Sequence, residues 1–360
     1  MSSEKQVCCI TNGDSLLGFA IASRFAVALF GGESNVQGGK PELRILCRTR
    51  SGYGLTKLEK MGCKIMEVDY MNEEKLQMAL KDCSACLLVP EHSGNRLKEA
   101  ECLLQCAKKM KVEHMTMMSF VGVDRMQEKR SESSEFHHMM EFHKIEKMVQ
   151  ECFQGQMHCI IRCAMFYQMF YYLAPQMQKE NVMCLPVKKD AKWPGVDLND
   201  ICEGVYCLAK KQHERVRQHQ AGSGEEIFNK RMYNFMHQPM STQHMTQEIA
   251  HGLNCKELHF KEISEDELME YMMKVKDDKK FQERPDENND FKKGKDGYWS
   301  FPLNKFITEH KIRCIMEYFR MANKGCLEQH HEDLQKVLER NPHSLKQYFE
   351  VNRDQFKRFK

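Results

Sequence analysis

The stretch "CCITNGDSLLGFAIASRF", residues Cys8 to Phe25, decides how the chain is read. An apolar run stops at Thr11, a short polar stretch follows, and apolar residues at helical spacing begin at Leu16. This is the layout of a strand, a tight turn and a helix whose first N–H groups can bind phosphate. A dinucleotide loop of this kind must turn sharply, bring backbone close to a pyrophosphate and pack the helix against the strand, and glycine serves all three needs. Here Asn12 stands in the place of the first glycine, Ser15 in that of the second, and Gly18 is the third. Asn tolerates positive φ better than most side chains, and Ser15 is a good helix cap. The loop geometry is therefore expected to survive, with the Ser15 side chain facing the phosphates. Its candidate dinucleotide contacts are Thr11, Asn12, Gly13, Ser15, Leu16, Leu17 and Gly18.

Beyond the loop, strands and helices alternate. "VCCI", "LRILCR", "CKIMEVDY", "ACLLVP", "VEHMTMMS" and "HCIIRC" read as strands, with helical patterns between them. Such spacing implies βαβ units, a parallel sheet and right-handed crossovers. The strands are near-continuous apolar runs, as in a sheet covered on both faces. The expected fold is α/β, a doubly wound parallel sheet over residues 1–165 with later segments returning to it. Residues 166–360 form a smaller mixed α/β domain in this reading. Within it, residues 276–295 are dense in charge around Phe281 and Phe291, and are expected to form a mobile insertion outside the core.

Composition narrows the class. The 360 residues are 41% hydrophobic and 29% charged, which suits a globular protein. No apolar run is long enough to span a bilayer, and the first residues lack a secretory pattern. The cytoplasm or the nucleus is the expected location, with no membrane partner. The 17 cysteines are scattered, and the pair Cys83 and Cys86 reads as buried thiols with no metal site. A net charge of +3 carries no footprint for direct nucleic-acid binding.

The second strand ends on "CRTR". An acid there would bind ribose hydroxyls, whereas Arg48 and Arg50 suit a 2′-phosphate and favour NADP(H) over NAD(H). The alternative is a pair of solvated surface arginines. Asp69 ends the third strand, where it meets adenine or caps the next helix. Tyr70, and Val89 with Pro90 after the fourth strand, complete the candidate cofactor contacts.

Taken in order, "ITNGDSLLG", "LRILCRTR", "VEHMTMMSFVGVD", "FHKIEKMVQE", "CIIRCAMFYQMF" and "VDLNDICEGVYCLA" resemble the NmrA-like proteins, atypical relatives of the short-chain dehydrogenases. The resemblance implies a Rossmann fold with a smaller C-terminal domain. The dehydrogenases use a Tyr-x-x-x-Lys pair, in which tyrosine supplies the proton and lysine binds the nicotinamide ribose. Lys144 matches the lysine, Met140 stands where the tyrosine should, and Ser119 matches the companion serine, followed by Phe120. This pattern implies a regulator or redox sensor that binds dinucleotide and a protein partner without turnover. An alternative is an NADPH-dependent reductase like the isoflavone reductases, with a buried Lys144 as acid/base. A third is an interaction module that has lost the dinucleotide. Phe120, Arg162, Phe166 and Tyr167 are the implied substrate pocket, although an aromatic stripe of this kind also suits a core. Asp197 and Asp200 read as helix caps.

Overall fold

The computed structural model describes residues 6–31, 41–90, 93–126, 135–155, 157–217, 226–282 and 302–359. The chain forms two compact units. One comprises Met1–Ser119, Glu141–Arg162 and Val205–Tyr233, and the other Phe120–Met140, Cys163–Gly204 and Asn234–Lys360. Both units draw on residues before and after position 165.

The central sheet uses β1 (Val7–Ile10), β2 (Glu42–Cys47), β3 (Lys64–Glu67), β4 (Ala85–Leu88), β5 (His114–Phe120), β6 (Met157–Cys163) and the strand Met232–Phe235. Their order is Met232–Phe235, β6, β5, β4, β1, β2, β3. The pairs β1–β2, β2–β3, β1–β4 and β4–β5 are parallel, with Cys9 opposite both Arg44 and Cys86. This is the Rossmann-type α/β sheet that the alternation implied. Leu43, Ile45, Leu46 and Cys47 are all fully buried, as a strand covered on both faces requires. The order places β4 and β2 on either side of β1, so their carboxyl ends flank the loop that follows β1.

The connecting helices are α1 (Leu16–Phe30), α2 (Leu55–Met61), α3 (Glu73–Leu80), α4 (Arg96–Lys109) and α5 (His137–Cys152). Local chemistry sets their starts. Asn72 caps α3 by accepting from the Lys75 N–H, and Glu73 and Glu74 follow in the first turn, where acids favour the helix dipole. Among the described residues no helix is long and apolar enough to cross a membrane.

The second unit joins short strand pairs to helices. Val182–Leu185 pairs with His259–Glu262 in parallel, and Lys192–Trp193 with Met240–Ser241 antiparallel. The helices Glu265–Asp277 and Leu345–Lys357 each begin with a capping box, Ser264 with Glu267 and Ser344 with Gln347. The aromatic stripe is the core of this unit. Tyr167, Phe170, Tyr171 and Tyr172 are buried, and Tyr171 packs edge-on against Phe356 at 5.5 Å. The front of the expected charged insertion is also part of this core. Lys276 and Asp277 end a helix, Lys279–Gln282 forms a further helical turn, and Phe281 is completely buried. The rest of that stretch, 283–295, lies outside the described residues.

Candidate functional site

The loop after β1 keeps the shape expected of it. Asn12 sits at φ 51°, in the left-handed region where the first glycine would be. Its backbone N–H donates to the Tyr70 hydroxyl at 2.7 Å, and its Nδ2 donates to the Val89 carbonyl at 2.7 Å. Thr11 Oγ1 accepts from the Val89 N–H at 2.9 Å, which ties the loop to the end of β4. Val89 and Pro90 are buried there. Ser15 caps α1, its Oγ accepting from the Gly18 N–H at 3.1 Å and donating to the Asn12 carbonyl at 2.8 Å. Ser15 thus turns its hydroxyl into the loop, a satisfied role that the sequence reading shared between capping and the phosphates. Among the described residues the Leu16 and Leu17 N–H groups have no partner, and they open the first turn of α1.

Two glycines permit close approach. A Cβ on Gly13 would lie 2.2 Å from Ile45 Cγ2, and one on Gly18 would lie 2.1 Å from the Asn12 carbonyl oxygen. Backbone cannot yield as a flexible side chain would. Gly18→Ala is therefore expected to force α1 away from the loop, cost about 1–3 kcal/mol of stability and abolish nucleotide binding. Urea denaturation and nucleotide titration of the purified variant check both outcomes.

The mouth of the loop is lined by acids as well as arginines. Arg48 forms a two-pronged pair with Glu99 of α4, at 3.0 and 2.7 Å, and Ser93 Oγ donates to Glu99 at 3.1 Å. The Arg48 guanidinium lies 5.1 Å from the Tyr70 ring centroid. Asp14 Oδ2 accepts from the backbone N–H groups of Arg48 and Thr49, at 2.8 and 3.2 Å. Arg50 pairs with Glu59 in the open, and its N–H donates to Glu67. Neither arginine is a bare surface charge. Asp69 is exposed, and its Oδ1 accepts from the Met71 N–H at 2.9 Å, so it shapes the turn before α3. Asp14 and Glu99 went unnoticed in the sequence, because nothing local marks them as partners of the second strand.

The family's catalytic position is altered further. Helix α5 turns Glu141, Phe142, Ile145, Glu146 and Val149 inward, and Lys144 lies on its exposed face. Lys144 is exposed, and so lacks the burial that the reductase alternative expects of its acid/base. Ser119 is buried near the end of β5. Arg162 is corrected from pocket residue to core ion pair. Its guanidinium holds Glu146 at 2.8 and 2.7 Å, with both side chains under one-tenth exposed. Burial pushes the Glu146 carboxyl up, but the Arg162 fork and His143 outweigh it and hold it below the usual carboxylate range. Tyr167 is likewise corrected. It is sealed in the second unit beneath Tyr348, ring centroids 5.7 Å apart, and only Phe120 and Phe166 of the proposed aromatic wall are partly exposed.

Asp197 caps the helix Leu198–Arg217, whereas Asp200 lies within its first turn and is held by Arg340 and His343 instead. Asp197 Oδ1 accepts from the Asn199 N–H at 2.9 Å and from Gln168 Nε2 at 2.7 Å. Asp200 accepts from Arg340 at 2.7 Å and from the His343 N–H at 2.6 Å. His343 Nδ1 lies 3.0 Å from Asp200 and 3.6 Å from Asp197. Burial, followed by repulsion from Asp200, pushes the Asp197 carboxyl up to about 6. Its proton is held more tightly in the folded chain than in the unfolded one. The favourable contribution is therefore full below the ordinary aspartate value and is lost as pH rises through about 6. Asp197→Asn keeps the Oδ1 acceptor and removes the buried charge. It is expected to raise stability at pH 8 by about 2–3 kcal/mol and to leave it nearly unchanged at pH 4. Denaturation midpoints at the two pH values check this.

Comparisons with known proteins agree with this fold. The NmrA-like family model matches residues 35–304, beginning after the loop. No curated protein sequence matches the chain. Among solved structures, the chain is similar to the NADPH-dependent quinone oxidoreductase QOR2 of Escherichia coli complexed with NADPH, at 14% identity and TM-score 0.67, covering 96% of this chain and 98% of that one. It is similar to the Citrobacter sp. triphenylmethane reductase complexed with NADP(H), at 12% identity and TM-score 0.68, covering 96% and 99%. It is also similar to NmrA, a negative transcriptional regulator, in complex with NADP, at 10% identity and TM-score 0.55, covering 72% and 75%. At such identities the three likenesses speak for the fold. With the family match spanning most of its length, this chain belongs to the NmrA-like family.

Proposed function

We propose that this chain is an NADP(H)-binding regulatory or redox-sensor protein of the cytoplasm or nucleus, without dehydrogenase turnover. The observation that carries the binding is the start of α1. The Leu16 and Leu17 N–H groups open a helix behind a loop held in shape by Asn12 at positive φ. Such N–H groups suit a pyrophosphate. Thr11, Gly13, Ser15 and Gly18 shape the loop, while Asp69, Tyr70, Val89 and Pro90 border the adenosine side. Arg48 and Arg50 meet a 2′-phosphate, and Ser119 and Lys144 belong to the nicotinamide side. When bound, the dinucleotide supplies a redox state for a partner protein to read. Such coupling requires the partner to bind the two states unequally.

Two features support the lack of turnover. Met140 cannot donate a proton, and Lys144 is exposed, without the burial that would turn it into an acid/base. One observation favours the reductase reading instead, since the two reductases match nearly the whole chain and NmrA about three-quarters of it. Calorimetric titration with NADPH, NADP, NADH and NAD tests the binding, and NADP(H) is expected to bind more tightly. A screen of quinone and carbonyl substrates, followed by NADPH absorbance, is expected to show no oxidation. Turnover that disappears in Lys144→Met would establish the reductase. No heat with any of the four nucleotides would leave an interaction module that has lost the cofactor.

A further inference from the structure

We propose that the Arg48–Glu99 ion pair is a latch across the mouth of the dinucleotide loop, and that Glu99 sets the cost every nucleotide pays to open it. The inference rests on the dinucleotide reading and names the residue that holds its affinity down.

The argument starts from strand order. β1 lies between β2 and β4, and the loop rises from the carboxyl end of β1. Arg48 follows β2, and Glu99 lies in the first turn of α4, the helix after β4. A bond between them must pass over the end of β1. Arg48 does so above the Tyr70 ring, whose hydroxyl holds the Asn12 N–H beneath. The pair therefore covers the place where the adenosine end of a nucleotide reaches the loop. Glu99 is well seated, because its carboxylate also accepts from Ser93 and its side chain is only 11% exposed, against 34% for Arg48. A charge-assisted pair that is partly buried is stronger than a surface pair.

The remaining donors at the end of β2 are occupied too. Asp14 takes the Arg48 and Thr49 amides. An incoming 2′-phosphate therefore gains most by replacing the Glu99 carboxylate on the Arg48 fork, with Arg50, paired to Glu59 in the open, as a weaker second partner. NADP(H) opens the latch and puts a new anion on the guanidinium. NAD(H) opens it and returns nothing. The cost of breaking the pair thus falls on both nucleotides and lowers both affinities, and only the 2′-phosphate of NADP(H) offsets it.

The test is titration of the wild type, Glu99→Gln and Arg48→Ala with NADPH and NADH. Glutamine matches glutamate in size and still accepts from Ser93, so the fold is retained. Glu99→Gln is expected to tighten both nucleotides by roughly three- to tenfold. Arg48→Ala is expected to act with opposite signs, tightening NADH and weakening NADPH. Ser93→Ala, which loosens the seat of Glu99, is expected to follow Glu99→Gln more weakly. If the wild type binds nucleotide and Glu99→Gln leaves both affinities unchanged, the latch is overturned and the dinucleotide reading stands. If Arg48→Ala weakens NADPH and leaves NADH unchanged, Arg48 is a plain phosphate ligand and the latch is overturned as well. If neither the wild type nor any variant binds nucleotide, the dinucleotide reading falls and takes the latch with it. Binding that appears only in Glu99→Gln supports a latch that is shut in the wild type.

Discussion

Glu146→Ala is expected to destabilise the protein by about 3–5 kcal/mol. The carboxylate lies inside the sheet unit and holds the Arg162 guanidinium by two hydrogen bonds, with His143 Nδ1 at 3.3 Å. Arginine cannot shed its charge. Removing the acid leaves a cation in a space too dry to solvate it, and the cost exceeds what the pair itself contributes. Glu146→Gln returns one acceptor without the charge, so its cost is expected to fall between those of the wild type and the alanine variant. Because the Glu146 carboxyl is held low, its contribution is present above the ordinary glutamate range and is lost as pH falls through the lowered native value. Urea denaturation at neutral and acid pH measures both effects. A loss below about 1 kcal/mol, the range of exposed pairs, would mean that Arg162 reaches solvent and would restore it as a pocket residue.

The same residues explain which parts of the site could be read in advance. The strands were legible because a sheet covered on both faces writes itself as short continuous apolar runs. The loop was legible because its rules are local: Asn12 accepts positive φ and Ser15 caps the next turn. What escaped depends on tertiary contact. Glu99 lies 51 positions from Arg48, and Tyr70 lies 58 from Asn12, so no spacing rule joins them. The inward face of α5 was hidden for a different reason. Glu141 and Glu146 are buried on it, and a stripe that includes two carboxylates does not look apolar. Lys144 could then be assigned to the chemistry by motif, although the helix turns it outward.

Phe281→Ala is expected to cost about 3–5 kcal/mol as well, the usual loss for a buried aromatic. Phe281 is completely buried in the second unit. It stacks on Phe359 with centroids 4.6 Å apart, meets Tyr171 edge-on at 5.6 Å and lies 6.1 Å from Tyr172. The helix before it is anchored at its end, where Asn304 Nδ2 donates to the Lys276 carbonyl at 3.2 Å. The expectation of a mobile insertion from residue 276 came from averaging composition over a window. Ordering costs roughly 1–2 kcal/mol per residue, and a window so rich in Lys and Asp offers little to offset it. The average misses that a single side chain can fasten a short turn when a preformed aromatic cluster receives it. Lys279 and Lys280 stay in solvent while their neighbour is held. Denaturation of Phe281→Ala gives the magnitude, and limited proteolysis gives the place. The variant should be cut between residues 276 and 282, where the wild type resists. A variant within about 0.5 kcal/mol of the wild type, the range of ordinary surface changes, would put Phe281 outside the core and return this stretch to the insertion.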